Sequence, residues 1–432
     1  MELLAGPAVP RGKTNSFCKN PLAWVRDTNF SRGYWIFFSA AFFFDAGFSI
    51  YFFLFNLFLL DCRFNERAMG WVGGALTLGS MAGTLPAGAL ARRFGLRPLL
   101  IALFVAAPLV NVLRALLIRE PAEIGLAFLA GFIMSAWGVC FLPAVARLTT
   151  KKNRTAGFSA IFSVSIATGM LGGIVCGYLR EWLARIGFPL QPVEVKRLIL
   201  LASCALVLAG LIPVVRLRVP ASTDEDIASE PAPARLNVFS KLALSPFLLR
   251  FLPAMALWSA VLAAFTPFAN VYLSRNLQVP MEQIGIVFSA AQLLQLCMGI
   301  AAPFLFRRLG LVSGIAATQI AAAVVLGALA IAASAPLAIL LYLVFSAAQW
   351  MSSPGLYNFL MNETPDQDRS TAASLTLFAN ALAGSLATAA TGVLLTRFGY
   401  RPVLFGIALE AMAIALLFLA LFHPLNRRAP AK

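Results

Sequence analysis

The chain has 432 residues, of which 60% are hydrophobic and only 12% charged, and its mean hydropathy is +0.83. Because an ordinary soluble domain has about 25% charged residues, this composition excludes a soluble globular protein and makes lipid the solvent for much of the surface. The formal net charge of +16 does not indicate a nucleic-acid partner, since the basic residues fall in short clusters between apolar runs. That pattern is typical of cytoplasmic loops beside anionic lipid headgroups.

The reactive residue types are too sparse and too scattered for a metal or cofactor site. The six cysteines include no CxxC pair, and most lie inside apolar runs, where a thiol packs as a small hydrophobic group. His423 is the only histidine, so His-rich metal sites and His-based catalytic triads are excluded by count. We therefore expect no metal, no cofactor and no disulfide framework.

The chain begins with a basic segment that lacks the apolar core of a signal peptide. We expect residues 1–33 to be a cytoplasmic tail. Twelve apolar stretches follow, each near the ~20 residues that a helix needs to cross a bilayer. They are continuous rather than alternating, which predicts helices and not the strands of a barrel. The stretches lie near 34–60, 70–91, 98–118, 123–146, 156–179, 197–216, 247–273, 283–305, 311–332, 336–360, 370–396 and 401–422.

One long polar break divides these stretches into two sets of six. Acidic residues and prolines dominate it, which is typical of a flexible linker. Most of the 34 Lys and Arg residues fall on the side of the N-terminal tail, so the positive-inside rule predicts both termini in the cytoplasm and a protein of the plasma membrane. The predicted organisation is a six-helix bundle at 34–216, a cytoplasmic linker at 217–246, a second six-helix bundle at 247–422 and a cytoplasmic tail at 423–432.

A basic turn recurs once in each half of the chain. The sequence RRFGL at 92–96 returns as RRLGL at 307–311, an offset of 215 residues in a chain of 432. The same ungapped offset relates Gly70 to Gly285 and Gly177 to Gly392. Such a long-period repeat indicates a duplicated helical protein, the way in which many secondary transporters are built.

The segment Gly88-Ala89-Leu90-Ala91-Arg92-Arg93-Phe94-Gly95-Leu96-Arg97 resembles the loop signature G-x-L-a-D-r-x-G-r-r of the major facilitator superfamily. The resemblance covers nearly the whole chain. It implies twelve transmembrane helices in two pseudo-symmetric six-helix bundles, a central cavity and alternating access by rocking of the halves. This chain departs from the pattern at Arg92, where the family usually has Asp, and at Gly131, where many proton-driven members have a buried Arg.

The recurring basic turns are candidates for an inner gate that acts in both halves. Their repetition favours a shared mechanical role, although the positive-inside rule alone would also place arginine there. The glycine in each turn, Gly95 or Gly310, permits a tight turn. The candidate gate residues are Gly88, Arg92, Arg93, Gly95, Arg97, Arg307, Arg308 and Gly310.

Asp45 is the main candidate for coupling. It lies about 16 Å into the first span, at 1.5 Å per residue, where an Asp costs roughly 2.5–3.5 kcal/mol on insertion scales. Asp45, Ser49, Phe52 and Asn56 fall on one helical stripe, which predicts a cavity-facing side. The functional interpretation is a proton or cation site or a counter-charge for substrate; the structural alternative is an Asp hydrogen-bonded between helices.

Further polar and aromatic residues are candidates for the cavity wall. Trp137 and Trp350 occupy nearly equivalent positions in spans 4 and 10, where aromatic rings suit apolar or ring-bearing ligands. Uncharged amides either fix a polar ligand or hold helices together; these are Gln292, Gln295, Asn358 and Asn380. For two other charged residues we favour structural roles: Arg114 is expected to extend to the headgroups, and Glu410 lies in span 12, which the family resemblance implies is peripheral to the cavity.

The leading hypothesis is a monomeric secondary transporter of a small molecule in the lipid bilayer, coupled to protons through Asp45 or acting as an uncoupled facilitator. An intramembrane enzyme is disfavoured because no HExxH, GxSxG or P-loop motif occurs. A membrane sensor that does not transport is a further alternative. Cations, apolar drugs and polyols suit the predicted cavity about equally, and the direction of transport stays open.

Overall fold

A computed structural model describes residues 30–150, 153–185, 191–218, 246–365 and 368–426. The predicted linker 217–246 and the predicted N-terminal tail lie almost wholly outside the described residues, as does most of the predicted C-terminal tail. Each predicted span coincides with a helix, and the ends differ by a few residues. The long helices are α1 Arg32–Asp61, α2 Glu66–Phe94, α3 Leu96–Leu116, α4 Glu120–Leu148, α5 Arg154–Arg185, α6 Pro192–Ala209 with a short continuation Leu211–Arg216, α7 Pro246–Phe265, α8 Met281–Leu309, α9 Leu311–Ile331, α10 Ala335–Glu363, α11 Arg369–Phe398 and α12 Tyr400–Asn426.

Most of these helices are long and apolar enough to cross a membrane. Among the described residues, eleven meet that description, and α2 does not. The exception is rich in glycine and carries charged residues at both ends, which lowers its hydropathy. Its glycines instead permit close contact with neighbouring helices, which is a common use of small residues in membrane proteins.

The helix α7 does not continue regularly to its end. After Phe265 the backbone tightens into a 3₁₀ turn at Thr266–Phe268 and then widens into a π-helical turn at Tyr272–Asn276. Pro267 lies within this break and has no N–H to donate to the preceding turn. The irregular segment lies beside the C-terminal end of α1.

Single glycines with positive φ join three pairs of consecutive helices. Gly95, Gly310 and Gly399 have φ angles of 85°, 81° and 75°, a backbone conformation that only glycine adopts readily. The first two are the turns of the predicted repeat. The third was not predicted, although its sequence RFGYRP at 397–402 matches RFGLRP at 93–98.

We call the end of the molecule with Gly95 and Gly310 the arginine end, and the end with residues 62–65 and 277–280 the opposite end. The hydrophobic core shows that the two halves of the chain meet mainly at the opposite end. One cluster joins residues of α1 and α2 near that end to residues of the C-terminal half. A second cluster, nearer the arginine end, contains residues of the N-terminal half alone.

Candidate functional site

The halves approach most closely where α2 meets α11 and α5 meets α8. A β-carbon at Gly70 would lie 2.9 Å from the Cα of Gly392, and one at Gly285 would lie 2.2 Å from the carbonyl oxygen of Gly173. Gly177 also contacts Gly285. The contact of Gly70 with Gly392 and that of Gly285 with Gly177 are equivalent under the sequence repeat, because Gly70 corresponds to Gly285 and Gly392 to Gly177. The repeat therefore appears in the structure as a pair of matching helix crossings.

Two asparagines make a second reciprocal contact between the halves. Asn56 Nδ2 donates to the carbonyl oxygen of Pro267 at 2.7 Å, and Asn270 Nδ2 donates to the carbonyl oxygen of Phe53 at 3.0 Å. Each amide thus binds a backbone carbonyl three residues before the other asparagine. We call this arrangement the asparagine clasp.

The clasp was missed in the sequence because its offset is 214 residues rather than 215. An ungapped comparison places Val271, not Asn270, opposite Asn56. The broken helix after Phe265 explains why the register there differs from that of the regular helices. A comparison that allowed a one-residue gap would have found the pair.

Further polar contacts close the opposite end. Arg275 Nη1 lies 2.8 Å and 3.0 Å from the two carboxylate oxygens of Glu66, joining the halves by an ion pair. Ser289 donates to the carbonyl oxygen of Met170, and Ser385 to that of Gly74, both at 2.7 Å. All these contacts lie on the opposite-end side of the molecule.

The arginine end differs, because apolar side chains on the same faces of α2 and α8 that meet the other half at the opposite end are exposed there. Leu85 of α2 is 82% exposed and Ile300 of α8 is 74% exposed. A β-carbon at Gly299, in the same part of α8, would meet no atom within 4 Å. The two halves are therefore separated here, which leaves a cavity open toward the arginine end.

The predicted gate residues lie at this open end, and among the described residues no hydrogen bond, ion pair or ring contact joins them across it. Arg92, Arg93, Arg307 and Arg308 are exposed. The guanidinium of Arg93 lies over Phe94, and that of Arg308 over Phe304. Arg97 donates to the carbonyl oxygen of Val215, within its own half, and Gly88 has no close neighbour except the side chain of Arg92.

The cavity has two lobes, which meet at Thr77. The first, which we call the N lobe, lies among α1, α2, α3 and the broken end of α7, and Tyr51, Asn56 and Arg114 are among its lining residues. The second, the C lobe, has a volume of about 370 Å³ and lies among α7, α10 and α11. Its wall includes Trp258, Ser259, Ser353, Tyr357 and Asn380.

Asp45 is placed beside these lobes but is not among the residues that line them. Its carboxylate accepts a hydrogen bond from the hydroxyl of Ser165, so it links α1 to α5. Ser49, one turn further along, faces Gly172 of the same helix α5. Of the predicted stripe, Phe52 and Asn56 line the N lobe, and Asn56 also forms half of the clasp.

The burial of Arg114 contradicts the prediction that its side chain extends to the lipid headgroups. It is only 4% exposed and does not extend to the headgroups. Its Nε and Nη2 lie 2.8 Å and 2.7 Å from Glu123 Oε1, and its guanidinium lies 4.3 Å from the ring centre of Phe55. Glu123 is 1% exposed. The arginine is therefore neutralised by a buried partner that sequence reasoning had not considered.

The two predicted tryptophans are not equivalent in the structure. Trp137 packs within an aromatic cluster, with its ring 4.2 Å from that of Phe44 and 5.9 Å from that of Phe37. Trp350 is 53% exposed. Neither is among the residues lining the two lobes.

The predicted amides have separate neighbours. Gln292 lies against Gly169 of α5, whereas Gln295 Nε2 donates to Ser346 of α10 at 2.6 Å. Asn358 is exposed and does not line either lobe. Asn380 lines the C lobe, and its side-chain oxygen has no hydrogen-bond partner among the described residues.

A helical membrane protein whose two repeated halves enclose a cavity open at one end has the architecture of a membrane transporter. The sequence profile of the Major Facilitator Superfamily matches residues 37–388. The chain belongs to this family and is an integral membrane protein of the transporter type, not an enzyme. No curated protein sequence matches the chain significantly.

Solved structures share the fold at low sequence identity. The nucleoside transporter NupG is similar with a TM-score of 0.75 and 15% identity, over 91% of this chain and 99% of that chain. A bacterial homolog of the human lysosomal transporter Spinster, in an inward-facing and unoccupied conformation, has a TM-score of 0.76 and 12% identity, over 93% and 100%. A D-xylose-proton symporter has a TM-score of 0.68 and 14% identity, over 89% and 96%.

Proposed function

We propose that this protein is a secondary transporter that moves a small molecule across the plasma membrane by alternating access. In this proposal all twelve long helices cross the bilayer, in two pseudo-symmetric six-helix bundles, and both termini are cytoplasmic. The observation that carries the proposal is the one-sided closure of the cavity. The halves meet through matched contacts at the opposite end and are separated at the arginine end.

The matched contacts support rocking of two rigid halves. The glycine crossings occur as a pair in equivalent positions of the repeat, and the two hydrogen bonds of the asparagine clasp form a reciprocal pair one residue out of that register. A pair of equivalent contacts about one axis can open together without distorting either half. The N-terminal half also has its own hydrophobic cluster, which holds that half together when the opposite end opens.

The charge distribution supports an inward-facing orientation. Arginines are concentrated in the turns of the open end, and the positive-inside rule places such turns in the cytoplasm. The similar Spinster homolog was solved in an inward-facing conformation. Both the cavity and the closed end are formed within one chain, which supports function as a monomer.

We propose that Asp45 couples transport to protons. A carboxylate deep in a membrane helix is costly when charged and is commonly functional. Asp45 is hydrogen-bonded to α5, and α5 is the helix that meets α8 across the halves. Protonation of Asp45 thus acts on a helix whose position differs between the inward-facing and the outward-facing state. One similar structure, the D-xylose-proton symporter, moves a neutral sugar with a proton.

Transport into proteoliposomes under an imposed pH gradient tests this proposal. A panel of labelled neutral and charged small molecules is offered to the wild type and to Asp45→Asn, with exposed Glu363→Gln as the control. We expect Asp45→Asn to abolish gradient-driven accumulation while exchange at equal pH continues. Accumulation by Asp45→Asn at the wild-type level would remove Asp45 from coupling. Exchange by the wild type without any gradient response would favour an uncoupled facilitator.

A further inference from the structure

Two carboxyl groups lie in the middle of the long described helices, and only one of them has a partner. Asp45 of α1 is half-buried and accepts a hydrogen bond from Ser165. Glu410 of α12 is exposed, and among the described residues no hydrogen bond or ion pair reaches it. It lies ten residues after the start of α12 at Tyr400, about 15 Å along the helix axis and so near the centre of a ~30 Å hydrocarbon core.

The cavity does not supply a partner for Glu410, because α12 lies on the outside of its bundle. The buried face of α12 includes Leu404, Ile407 and Ala408, and the helix packs chiefly against α9. Glu410 is not among the residues that line either lobe. Acidic side chains in membrane helices usually face the bundle interior or a water-filled cavity, and lipid chains offer neither a donor nor an acceptor. The partner of Glu410 therefore belongs to a surface that covers this face of α12.

The residues beside Glu410 are small, so another helix can approach it closely. Gly406 lies one turn before Glu410 and Ala413 one turn after it, and both are exposed. A β-carbon at Gly406 would meet no atom within 4 Å. Small residues at this spacing let two membrane helices pack closely enough for a polar side chain to form hydrogen bonds between them.

A second copy of this chain matches the chemistry of this face. Two copies in one membrane have the same orientation, so their α12 helices can pair in parallel with Glu410 at equal depth. A two-fold interface brings a residue against its own counterpart, and a protonated carboxyl group is both a donor and an acceptor. A contact between unlike faces of two copies would leave Glu410 without a counter-charge, because no Lys or Arg lies near the middle of any described helix.

We propose that two copies of this protein associate in the bilayer through the exposed face of α12, with their Glu410 carboxyl groups hydrogen-bonded to each other between Gly406 and Ala413. The interface lies outside both lobes, so each copy keeps its own cavity and one chain remains the transport unit. The pairing gives a role to an acidic residue that the proposed transport mechanism does not use.

Association of the purified full-length protein in liposomes tests the proposal. Copies labelled with a donor or an acceptor dye are mixed, and energy transfer is measured as the ratio of protein to lipid is raised. We expect Glu410→Leu to weaken association at least about tenfold, the loss expected for hydrogen bonds between membrane helices. Glu410→Gln should retain association, because its amide also donates to and accepts from its counterpart.

The unfolding temperature in detergent separates loss of pairing from loss of folding. Glu410→Leu should not lower it, since an apolar side chain suits this lipid-facing position better than an acid. A wild type that stays monomeric at every ratio of protein to lipid overturns the proposal. Association of folded Glu410→Leu at the wild-type level overturns it equally.

Further variants connect the association to this face of α12. Gly406→Leu is expected to weaken association, whereas Gly125→Leu, at an exposed glycine of α4 whose β-carbon would also meet no atom within 4 Å, should leave it unchanged. In a cysteine-free background, Ala413→Cys should form a disulfide-linked dimer on oxidation, and Leu109→Cys, at an exposed position of α3, should not. Cross-linking through Leu109→Cys alone would place the interface on another face and overturn the proposal.

Discussion

The opposite end and the arginine end are built from the same repeated helices, yet they differ in how the halves meet. At the opposite end, backbone meets backbone at Gly285 and Gly173, and amide side chains bind carbonyl oxygens across the halves. At the arginine end, a β-carbon on Gly299 of the same helix α8 would meet nothing. Small residues thus lie where a close contact forms, and arginines lie where the halves separate. Closure of the opposite end therefore depends more on close contact between helix backbones than on charge.

The largest expected effect comes from filling the closest contact. Gly285→Val would place side-chain carbons against the carbonyl oxygen of Gly173, so the opposite end can no longer close. We expect a cysteine at Thr77, in a cysteine-free background, to react at least about tenfold faster with an impermeant maleimide added from the opposite side of oriented proteoliposomes. Gly299→Val is the matched control and should leave the rate unchanged. Unaltered labelling in a folded Gly285→Val protein would refute the role of this contact.

The ion pair of Arg114 and Glu123 lies inside one half, so its loss should lower folding stability and leave closure of the opposite end unchanged. Glu123→Gln leaves the guanidinium of Arg114 buried without its counter-charge, which typically costs about 3–5 kcal/mol. We expect a clearly lower unfolding temperature in detergent and little change in Thr77 labelling. Exposed Glu120→Gln, in the same first turn of α4, serves as the comparison. If Glu123→Gln instead opened the opposite end at normal stability, the separation between folding contacts and closing contacts would be wrong.

These two predictions show what the sequence could and could not supply. The hydropathy pattern placed the helices within a few residues, because membrane-length apolar runs have few alternative folds. The repeat also identified Gly70, Gly285, Gly177 and Gly392, but not which of them meet. The partner of Arg114 escaped prediction because its burial depends on Phe55 and Glu123, which lie on two other helices. Trp137 and Trp350 differ because they are two residues out of register in the repeat, which turns their side chains to nearly opposite faces of the corresponding helices.

The asparagine clasp should have an intermediate effect on closure. Asn56→Ala or Asn270→Ala removes one hydrogen bond between the halves, worth about 1 kcal/mol net. Each variant should shift the balance toward an open opposite end by about fivefold, which the Thr77 labelling rate measures. Asn362→Ala, at an exposed position of α10, provides the control. Equal labelling rates in the two clasp variants and the control would show that the clasp does not hold the halves together.

The smallest expected effect belongs to the ion pair at the opposite end. Arg275 is 55% exposed although Glu66 is only 7% exposed, so water and salt screen the guanidinium, and we expect the pair to contribute about the 1 kcal/mol of pairs at a protein surface. Arg275→Gln should raise the labelling rate by less than about fivefold, and high salt should erase the difference from wild type. A larger effect than that of the clasp variants would mean that charge, not backbone fit, dominates closure.

Paired spin-label distances test the central claim most directly, because they report both ends in one protein without any ligand. One pair, at Arg63 and Asn276, spans the opposite end, and a second, at Arg93 and Arg308, spans the arginine end; all four positions are exposed. In Gly285→Val we predict a longer distance at the opposite end and a shorter one at the arginine end, whereas Gly299→Val should match the wild type. Distances that lengthen together at both ends, or that stay unchanged in folded Gly285→Val, would contradict alternating access by rocking of the two halves.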